Sequence, residues 1–167
     1  MSEQRSFYIA GVKFHQLATI IEKLKVNNKL TLVPEPTNKF DPNAVNKISE
    51  ATGIGQLLLG ATLDGCMHFN LTCRDIDAIR KDPELNIKIS SWYLHSRIVR
   101  YGNMDLGLAY YSGGERCAVG WRYYKKYEGK NIKDTNIIKI INNVRPQTKQ
   151  YVPKIRKLEK KFKKLVK

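Results

Sequence analysis

Residues 32–45 read LVPEPTNKFDPNAV, and this stretch decides the fold predicted from the sequence. Three prolines, Asn38 and Asp41 crowd into nine residues, a composition that forbids regular strand pairing. Lys29–Val33 (KLTLV) alternates like a half-buried strand, and Asn43–Ile48 can resume as a strand. We therefore expect a long, rigid loop between two strands.

The segments around this loop predict a β-rich body with one or two short helices. Further strands are predicted at Ser6–Lys13, Asn86–Val99, Leu106–Tyr111 and Arg116–Tyr124, the last two joined as a hairpin through Ser112-Gly113-Gly114. Helices are predicted at 17–24, at Arg74–Lys81, at Thr135–Asn143, and from about Pro153 to the end.

Charge is distributed unevenly along the chain. The net charge of +15 arises from 30 Lys+Arg against 15 Asp+Glu. Residues 1–121 carry 14 basic and 12 acidic residues, whereas residues 122–167 carry 16 basic and 3 acidic. A positive charge concentrated in this way attracts polyanions, so residues 1–121 and residues 122–167 are expected to have different functions.

The cysteine content and the N-terminus predict an intracellular, cytoplasmic protein. Three cysteines cannot form a disulfide framework, and we expect Cys66, Cys73 and Cys117 to be free thiols. No Cys-x-x-Cys pair accompanies Cys66, His68 and Cys73, so no zinc site is expected. The first residues lack the layout of a secretory signal, and no apolar run is long enough to span a membrane.

Taken together with AGVKFH at 10–15 and the Ile54-Gly55 pair, the loop resembles the HIRAN domain. The matched loop positions are Glu35, Pro36, Asn38, Phe40, Asp41, Asn43 and Ala44. The resemblance implies an OB-like HIRAN β-barrel over residues 6–125, extended by a basic helical segment over 126–167. HIRAN domains occur beside helicase and nuclease modules and in bacterial and phage proteins, and they bind the 3′ end of single-stranded DNA.

The same resemblance implies roles for individual residues. Phe14 and Phe40 would sandwich the terminal base, Asp41 would accept a hydrogen bond from the 3′-hydroxyl, Lys13 would hold a phosphate, and Asn38 would shape the pocket. Lys39 and Asn43 complete this predicted binding site.

The residues themselves leave two interpretations of this loop open. Aromatic rings stack on bases and neighbouring cations neutralise phosphates, which favours nucleic acid binding by Phe14 beside Lys13 and by Phe40 beside Lys39. Alternatively, the rings are ordinary core residues, and Asp41 caps a turn.

The basic C-terminal part offers a second predicted nucleic-acid surface. Aromatic and cationic residues interleave at 121–127, and an apolar stripe flanked by lysines runs through the terminal segment. The residues expected to contact nucleic acid here are Arg122, Tyr123, Lys125, Lys126, Lys157, Lys161 and Lys164.

No catalytic motif is evident, and we expect a non-enzymatic protein without a cofactor. Phosphate-cradling glycine loops, nucleophile elbows and metalloprotease histidine pairs are all missing from the sequence. The expected partner is single-stranded or 3′-ended DNA, with RNA left open and no membrane contact. The alternative is a phage, viral or host interaction protein whose basic tail docks on an acidic protein or assembly.

Overall fold

A computed structural model describes residues 8–9, 12–13 and 41–165 of the chain, with side chains described from 41 to 160. This part is predominantly helical. Two short strands, β1 (Tyr8–Ile9) and β2 (Val12–Lys13), pair antiparallel. The helices are α1 (Leu59–His68), α2 (Ile76–Lys81), α3 (Pro83–Tyr101), α4 (Met104–Lys126), α5 (Thr135–Ile141) and α6 (Pro146–Leu165).

The chain divides into two compact units, residues 1–93 and 94–167. In the first unit, a small core joins the loop before α1 to the three helices that follow. Its buried members are Leu57, Ala61, Cys66, Ile79 and Ile89. Gly65 allows α1 to pack tightly here, because a Cβ on it would lie only 2.4 Å from Ile89 Cγ2.

Aspartates set the starts of the two helices that complete this unit. Asp75 Oδ1 accepts a hydrogen bond from the Ala78 amide at 2.9 Å, which caps α2. Asp82 Oδ1 accepts one from the Leu85 amide at 2.8 Å at the start of α3, where Pro83 is the first residue. Each cap satisfies an amide that has no partner within its own helix.

The second unit is built around α4, which packs against both α5 and α6. Gly114 interrupts α4 with non-helical angles (φ 79°, ψ −173°) and kinks it. Beside the kink, Ser112 Oγ lies 2.8 Å from Thr148 Oγ1, and Cys117 Sγ donates to the same oxygen at 3.2 Å. Thr148 is fully buried, so these contacts tie the start of α6 to the kinked part of α4.

The predicted β-rich, OB-like barrel is wrong. The segments predicted as strands at Asn86–Val99, Leu106–Tyr111 and Arg116–Tyr124 lie in α3 and α4, and Ser112-Gly113-Gly114 forms a helix kink rather than a hairpin turn. Aromatic and β-branched residues favoured strands there, but tertiary packing overrides so weak a preference. Leu85, Ile89 and Tyr93, spaced four apart, all contribute to the core of the first unit.

Some local predictions are confirmed. The helix predicted at Arg74–Lys81 is α2, the helix predicted at Thr135–Asn143 is α5, and a helix does occupy the C-terminal segment, beginning at Pro146. The single strand predicted at Ser6–Lys13 is not confirmed, because this segment contains two short strands, β1 and β2, that pair with each other. The predicted helix at 17–24 and strand at 29–33 lie outside the described residues.

The expectation of three free thiols is also wrong. Cys66 and Cys73 form a disulfide across the turn that follows α1, while Cys117 is free and buried. Three cysteines excluded a framework of several disulfides but did not exclude a single bridge. No helix of the described part is long and apolar enough to cross a membrane.

We predict that replacing both Cys66 and Cys73 with serine lowers the free energy of unfolding by about 2 kcal/mol, because the unfolded chain loses a closed loop. Urea denaturation measures this loss. The matched control is a reductant, which should shift the midpoint of the wild type to that of the variant and leave the variant unchanged. A wild-type midpoint insensitive to reductant would contradict the disulfide.

Candidate functional site

Residues 41–57 fold into consecutive turns ahead of α1. Asp41 Oδ1 accepts a hydrogen bond from the Asn43 amide at 2.8 Å, and the Asp41 carbonyl accepts one from the Ala44 amide at 3.2 Å. Thr52 and Leu57 exchange two backbone hydrogen bonds, and the Gly53 amide donates to the Ala44 carbonyl at 2.8 Å. The loop is therefore organised by its own backbone.

We call residues 53–57 the glycine loop; it lies unusually close to α2 and α3. A Cβ on Gly53 would lie 2.2 Å from the Arg80 carbonyl oxygen, and a Cβ on Gly55 would lie 2.4 Å from Ser90 Cβ. Gly53 also has a φ of +76°, which favours glycine. Only glycine fits at these two positions without moving the loop away from the helices.

The buried side chain of Asn86 anchors the glycine loop. Its Nδ2 donates to the carbonyl oxygens of Thr52 at 3.0 Å and Arg80 at 2.6 Å. Its Oδ1 accepts a hydrogen bond from the Gly55 amide at 2.6 Å. One amide thus satisfies three backbone groups belonging to the loop and the end of α2.

Arg80 binds the turn that precedes the glycine loop. Its Nη1 donates to the Glu50 carbonyl at 3.0 Å, and its Nη2 pairs with Asp77. The hydrogen bond from Arg80 lowers the pKa of Asp77, so this carboxyl is ionised at neutral pH. The guanidinium therefore links the loop to α2 through backbone and side chain together.

Gln56 is the strained residue of the glycine loop. Its φ is +50°, in the left-handed region that a residue with a side chain rarely adopts. Its Nε2 donates to the Gly53 carbonyl at 2.9 Å and to the Ala44 carbonyl at 3.4 Å. Strain of this kind costs about 1–3 kcal/mol and concentrates at functional sites. The glycine loop is accordingly the candidate functional element of the first unit.

In the second unit, aromatic and charged side chains gather where α3 ends and α4 begins. The Arg97 guanidinium lies over the Tyr110 ring at 4.9 Å, and the Tyr110 and Tyr101 ring centroids are 5.9 Å apart. Arg100 pairs with Glu115 at 3.0 Å. Burial, followed by the Glu115 carboxylate, raises the pKa of Tyr101. The phenol therefore stays protonated and available as a hydrogen-bond donor at neutral pH.

The carboxyl groups between residues 41 and 134 fall into three sets. Asp41, Asp75, Asp82 and Asp134 cap turns or helices through backbone amides. Asp77, Asp105, Glu115 and Glu128 pair with arginine or lysine. Glu50, Asp64 and Glu84 are exposed to solvent. Each of these carboxyls is therefore engaged by a backbone amide, a cation or solvent.

The predicted nucleic-acid pocket is only partly within the described residues. Phe14, Asn38, Lys39 and Phe40 lie outside them, and Lys13 is described only as a backbone position of β2. Asp41 Oδ1, in the carboxylate predicted to bind a sugar hydroxyl, accepts the Asn43 amide, as the turn-cap interpretation has it.

The predicted basic contacts lie on two helices of the second unit. Arg122, Tyr123, Lys125 and Lys126 lie at the end of α4, and Lys157, Lys161 and Lys164 lie on α6. Three of these side chains contact Tyr127 or Glu128, which follow α4. Tyr123 stacks on Tyr127 with a centroid distance of 6.4 Å, and Lys126 lies 5.5 Å from the Tyr127 ring. Lys125 pairs with Glu128.

Sequence reasoning missed Asn86 and Gln56. Asn86 was placed at the start of a strand, and Gln56 carried no motif. A signal was present at Asn86, because Asp82-Pro83 four residues earlier is a helix start and puts Asn86 in the first turns of a helix. The two glycines that flank Ile54 indicated a close backbone approach.

Comparison with protein-family models matches residues 26–134, well over half of the chain, to the family described as Transglycosylase SLT domain. A search of curated proteins finds no match. The family match includes the whole of 32–45 and overturns the resemblance to HIRAN domains. It also overturns the predicted nucleic-acid partners, the acidic protein partner offered as the alternative, and the expectation of a non-enzyme.

We predict that Asn86→Ala lowers the free energy of unfolding by about 3 kcal/mol, because it removes three hydrogen bonds of a buried side chain to the backbone of Thr52, Gly55 and Arg80. Chemical denaturation measures the loss, and amide exchange at Gly55 should accelerate. The matched control is Asn143→Ala, an exposed asparagine expected to change stability by less than about 0.5 kcal/mol. Equal effects of the two variants would contradict the anchoring role.

Proposed function

Because the chain belongs to the Transglycosylase SLT domain family, we propose that it is an enzyme that cleaves the glycan strands of peptidoglycan as a lytic transglycosylase. The observation that carries the proposal is the family match over residues 26–134. The helical architecture of the described residues agrees with this lysozyme-like, all-α family.

The chemistry of the proposed reaction requires a general acid. Breaking a glycosidic bond leaves an alkoxide unless the bridging oxygen receives a proton as the C–O bond breaks. In a transfer reaction, the resulting carboxylate then takes the proton of the acceptor hydroxyl as that oxygen bonds to the anomeric carbon. A single carboxyl can thus complete the proton balance, provided that it is protonated when the substrate binds.

Elimination assigns this role to Glu35. The carboxyls between 41 and 134 cap backbone amides, pair with cations or stand exposed in water. Within the matched range, residues 26–40 contain a single carboxyl, and it is Glu35. We therefore assign the proton donor to Glu35.

The sequence around Glu35 suits such a donor. Pro34 and Pro36 flank it and restrict the backbone on both sides, which helps to hold a catalytic side chain in position. Leu32, Val33 and Phe40 supply apolar neighbours in sequence. An apolar environment raises a carboxyl pKa and keeps the group protonated near neutral pH.

The glycine loop has a positioning role in this proposal. The backbone that leaves Asp41 pairs with the glycine loop through the Ala44 carbonyl, which accepts from Gly53 and from Gln56 Nε2. Asn86 in turn joins this loop to the end of α2, and Arg80 binds the preceding turn at Glu50. The backbone at Ala44 is therefore tied to a rigid support.

The disulfide favours a working place outside the reducing cytoplasm. Disulfides persist in oxidising compartments and are rare where thiols are kept reduced. The Cys66–Cys73 bridge therefore supports an extracytoplasmic enzyme, which is where peptidoglycan lies. The net charge of +15 suits the same place, because it attracts the protein to anionic cell-wall material.

We predict that Glu35→Gln lowers the rate of peptidoglycan cleavage by at least about a hundredfold, because the amide cannot donate the proton. The assay is the release of soluble glycan fragments from purified sacculi. The matched control is Glu84→Gln, an exposed glutamate on α3, which should retain full activity. Unchanged thermal unfolding of both variants shows that the fold is retained.

Running the wild-type reaction in heavy-oxygen water tests the transfer step. A transglycosylase incorporates no solvent oxygen into the new sugar end, whereas a hydrolase does. Full activity of Glu35→Gln would contradict the assignment of the acid. Failure of the wild type to release fragments from any sacculi preparation would contradict the proposed function.

A further inference from the structure

Helix α1 presents its large apolar side chains to solvent. Its buried residues are the small ones, Ala61, Thr62, Gly65 and Cys66. Leu59, Leu63 and Met67 have exposed fractions of 53%, 40% and 78%. These three residues are spaced four apart and therefore lie along one face of the helix. We call them the α1 stripe.

The α1 stripe reverses the usual arrangement of an amphipathic helix, whose large apolar face lies against the core. Single exposed apolar side chains are common on protein surfaces, but a contiguous row marks a surface that another element covers. The described residues leave this row open to solvent. The first unit therefore has an apolar face that needs an occupant.

A segment of the same chain has the pattern of such an occupant. Residues 17–24, which lie outside the described residues, were predicted as a helix because their apolar residues recur at helical spacing. These residues, which we call the N-terminal stripe, are Leu17, Ile20, Ile21 and Leu24. A helix of eight residues is too short to be stable alone in water, so it requires an apolar surface to pack against.

The two stripes have nearly the same length. At a rise of about 1.5 Å per residue, Leu17 to Leu24 span about 10.5 Å of helix axis, and Leu59 to Met67 span about 12 Å. Packed helices insert the side-chain rows of one into the grooves of the other. A helix over residues 17–24 is therefore long enough to cover the α1 stripe.

The predicted strand at 29–33 is a poorer cover for α1. A lone strand that lies on a helix leaves its own backbone amides and carbonyls without partners, whereas a helix satisfies most of its own. The alternation of residues 29–33 also gives only a short apolar row. Residues 17–24 therefore fit the α1 stripe better.

Both ends of segment 17–24 are joined to the first unit. Residues 14–16 connect it to β2, and residues 25–40 connect it to the turns at 41–57. A connection of this length spans up to about 50 Å when extended, which is several times the length of α1. Tethering also gives the segment an effective concentration in the millimolar range, far above that of a second copy or a free partner.

We propose that residues 17–24 form a helix that packs its N-terminal stripe on the α1 stripe. This docking completes the first unit with a segment that lies outside the family match at 26–134. It also anchors the chain that leads to Glu35 on its N-terminal side, as the turns at 41–57 do on the other side. The consequence for Glu35 rests on the proposed function, whereas the docking does not.

Limited trypsin digestion of the full chain tests the docking. Trypsin cleaves after Lys23 only when the segment leaves the surface and unwinds. Lys130, which is exposed between α4 and α5, supplies a reference bond in the same molecule. We expect cleavage after Lys23 to be at least about tenfold slower than cleavage after Lys130, as mass spectrometry of the first fragments measures. This ratio needs no substitution, so it is informative even where a variant fails to fold.

Leu63→Glu and Ile20→Glu each place a charge in the proposed contact and should accelerate cleavage after Lys23 by about tenfold. Two controls should leave this rate unchanged. Val119→Glu on α4 replaces a side chain with the same 40% exposed fraction as Leu63, and Thr19→Glu lies opposite the N-terminal stripe on the predicted helix. The double variant Leu63→Glu/Ile20→Glu should be cleaved no faster than either single variant, because each change alone removes the same contact.

Release of soluble fragments from purified sacculi tests the consequence for Glu35. We expect Leu63→Glu to release fragments about tenfold more slowly than the wild type, because small displacements of a catalytic group are costly, and Val119→Glu to retain full activity. Full activity of Leu63→Glu together with fast cleavage after Lys23 would overturn the anchoring of Glu35 and support the docking.

Four results would overturn the docking. The first is equal cleavage after Lys23 and Lys130 in the wild type, and the second is an acceleration by Thr19→Glu as large as that by Leu63→Glu. The third is a dimer that Leu63→Glu dissociates without exposing Lys23, which would assign the α1 stripe to a second copy. The fourth is binding to phosphatidylglycerol vesicles that Leu63→Glu abolishes without exposing Lys23, which would assign it to a lipid surface. Peptidoglycan is absent from these measurements, so failure of the cleavage proposal does not affect them.

Discussion

The first unit depends on the three hydrogen bonds of the Asn86 side chain. They join the Gly55 amide, the Thr52 carbonyl and the Arg80 carbonyl at the end of α2, and a buried backbone group needs a partner. A single amide group provides two donors and one acceptor in the required positions. The close approach of Gly53 and Gly55 to the helices is possible because Asn86 replaces the water that those groups would otherwise bind.

A second constraint acts in both units, namely close helix packing at glycines. Gly65 lies against Ile89 in the first unit. In the second unit, Gly107 lies against Ile98, and Gly120 lies against the Ile140 carbonyl. A Cβ on any of these glycines would lie within 2.7 Å of a neighbouring atom. These approaches bring backbones together and leave little space between helices. The helices α1, α2 and α5 have ten residues or fewer, so their stability depends on packing more than on intrinsic helix propensity.

The sequence predicted helices where local signals were sufficient. Asp75 and Asp134 precede α2 and α5 as capping residues, and both helices were found. It failed for α3 and α4 because β-branched and aromatic residues there favour strands locally. The Ser112-Gly113-Gly114 run is a turn signal in isolation, but in the structure Gly114 kinks a helix that continues on both sides. The helical state of α3 and α4 and the kink at Gly114 cannot be predicted from neighbouring residues in sequence, because both follow from contacts across the fold.

The site was harder to predict than the fold because its signals are shared by unrelated proteins. Pro36, Asp41 and Asn43 form rigid turns wherever they occur, so a short run of such residues matched the HIRAN pattern without sharing its fold. The asymmetry of charge marks where positive charge is concentrated along the chain, but it does not identify what that charge attracts. Glu35 illustrates the limit: a general acid is one carboxyl among fifteen until those between 41 and 134 are assigned to caps, ion pairs or solvent. That assignment needs three-dimensional contacts, because catalysis depends on the environment of a carboxyl and not on its presence in the sequence.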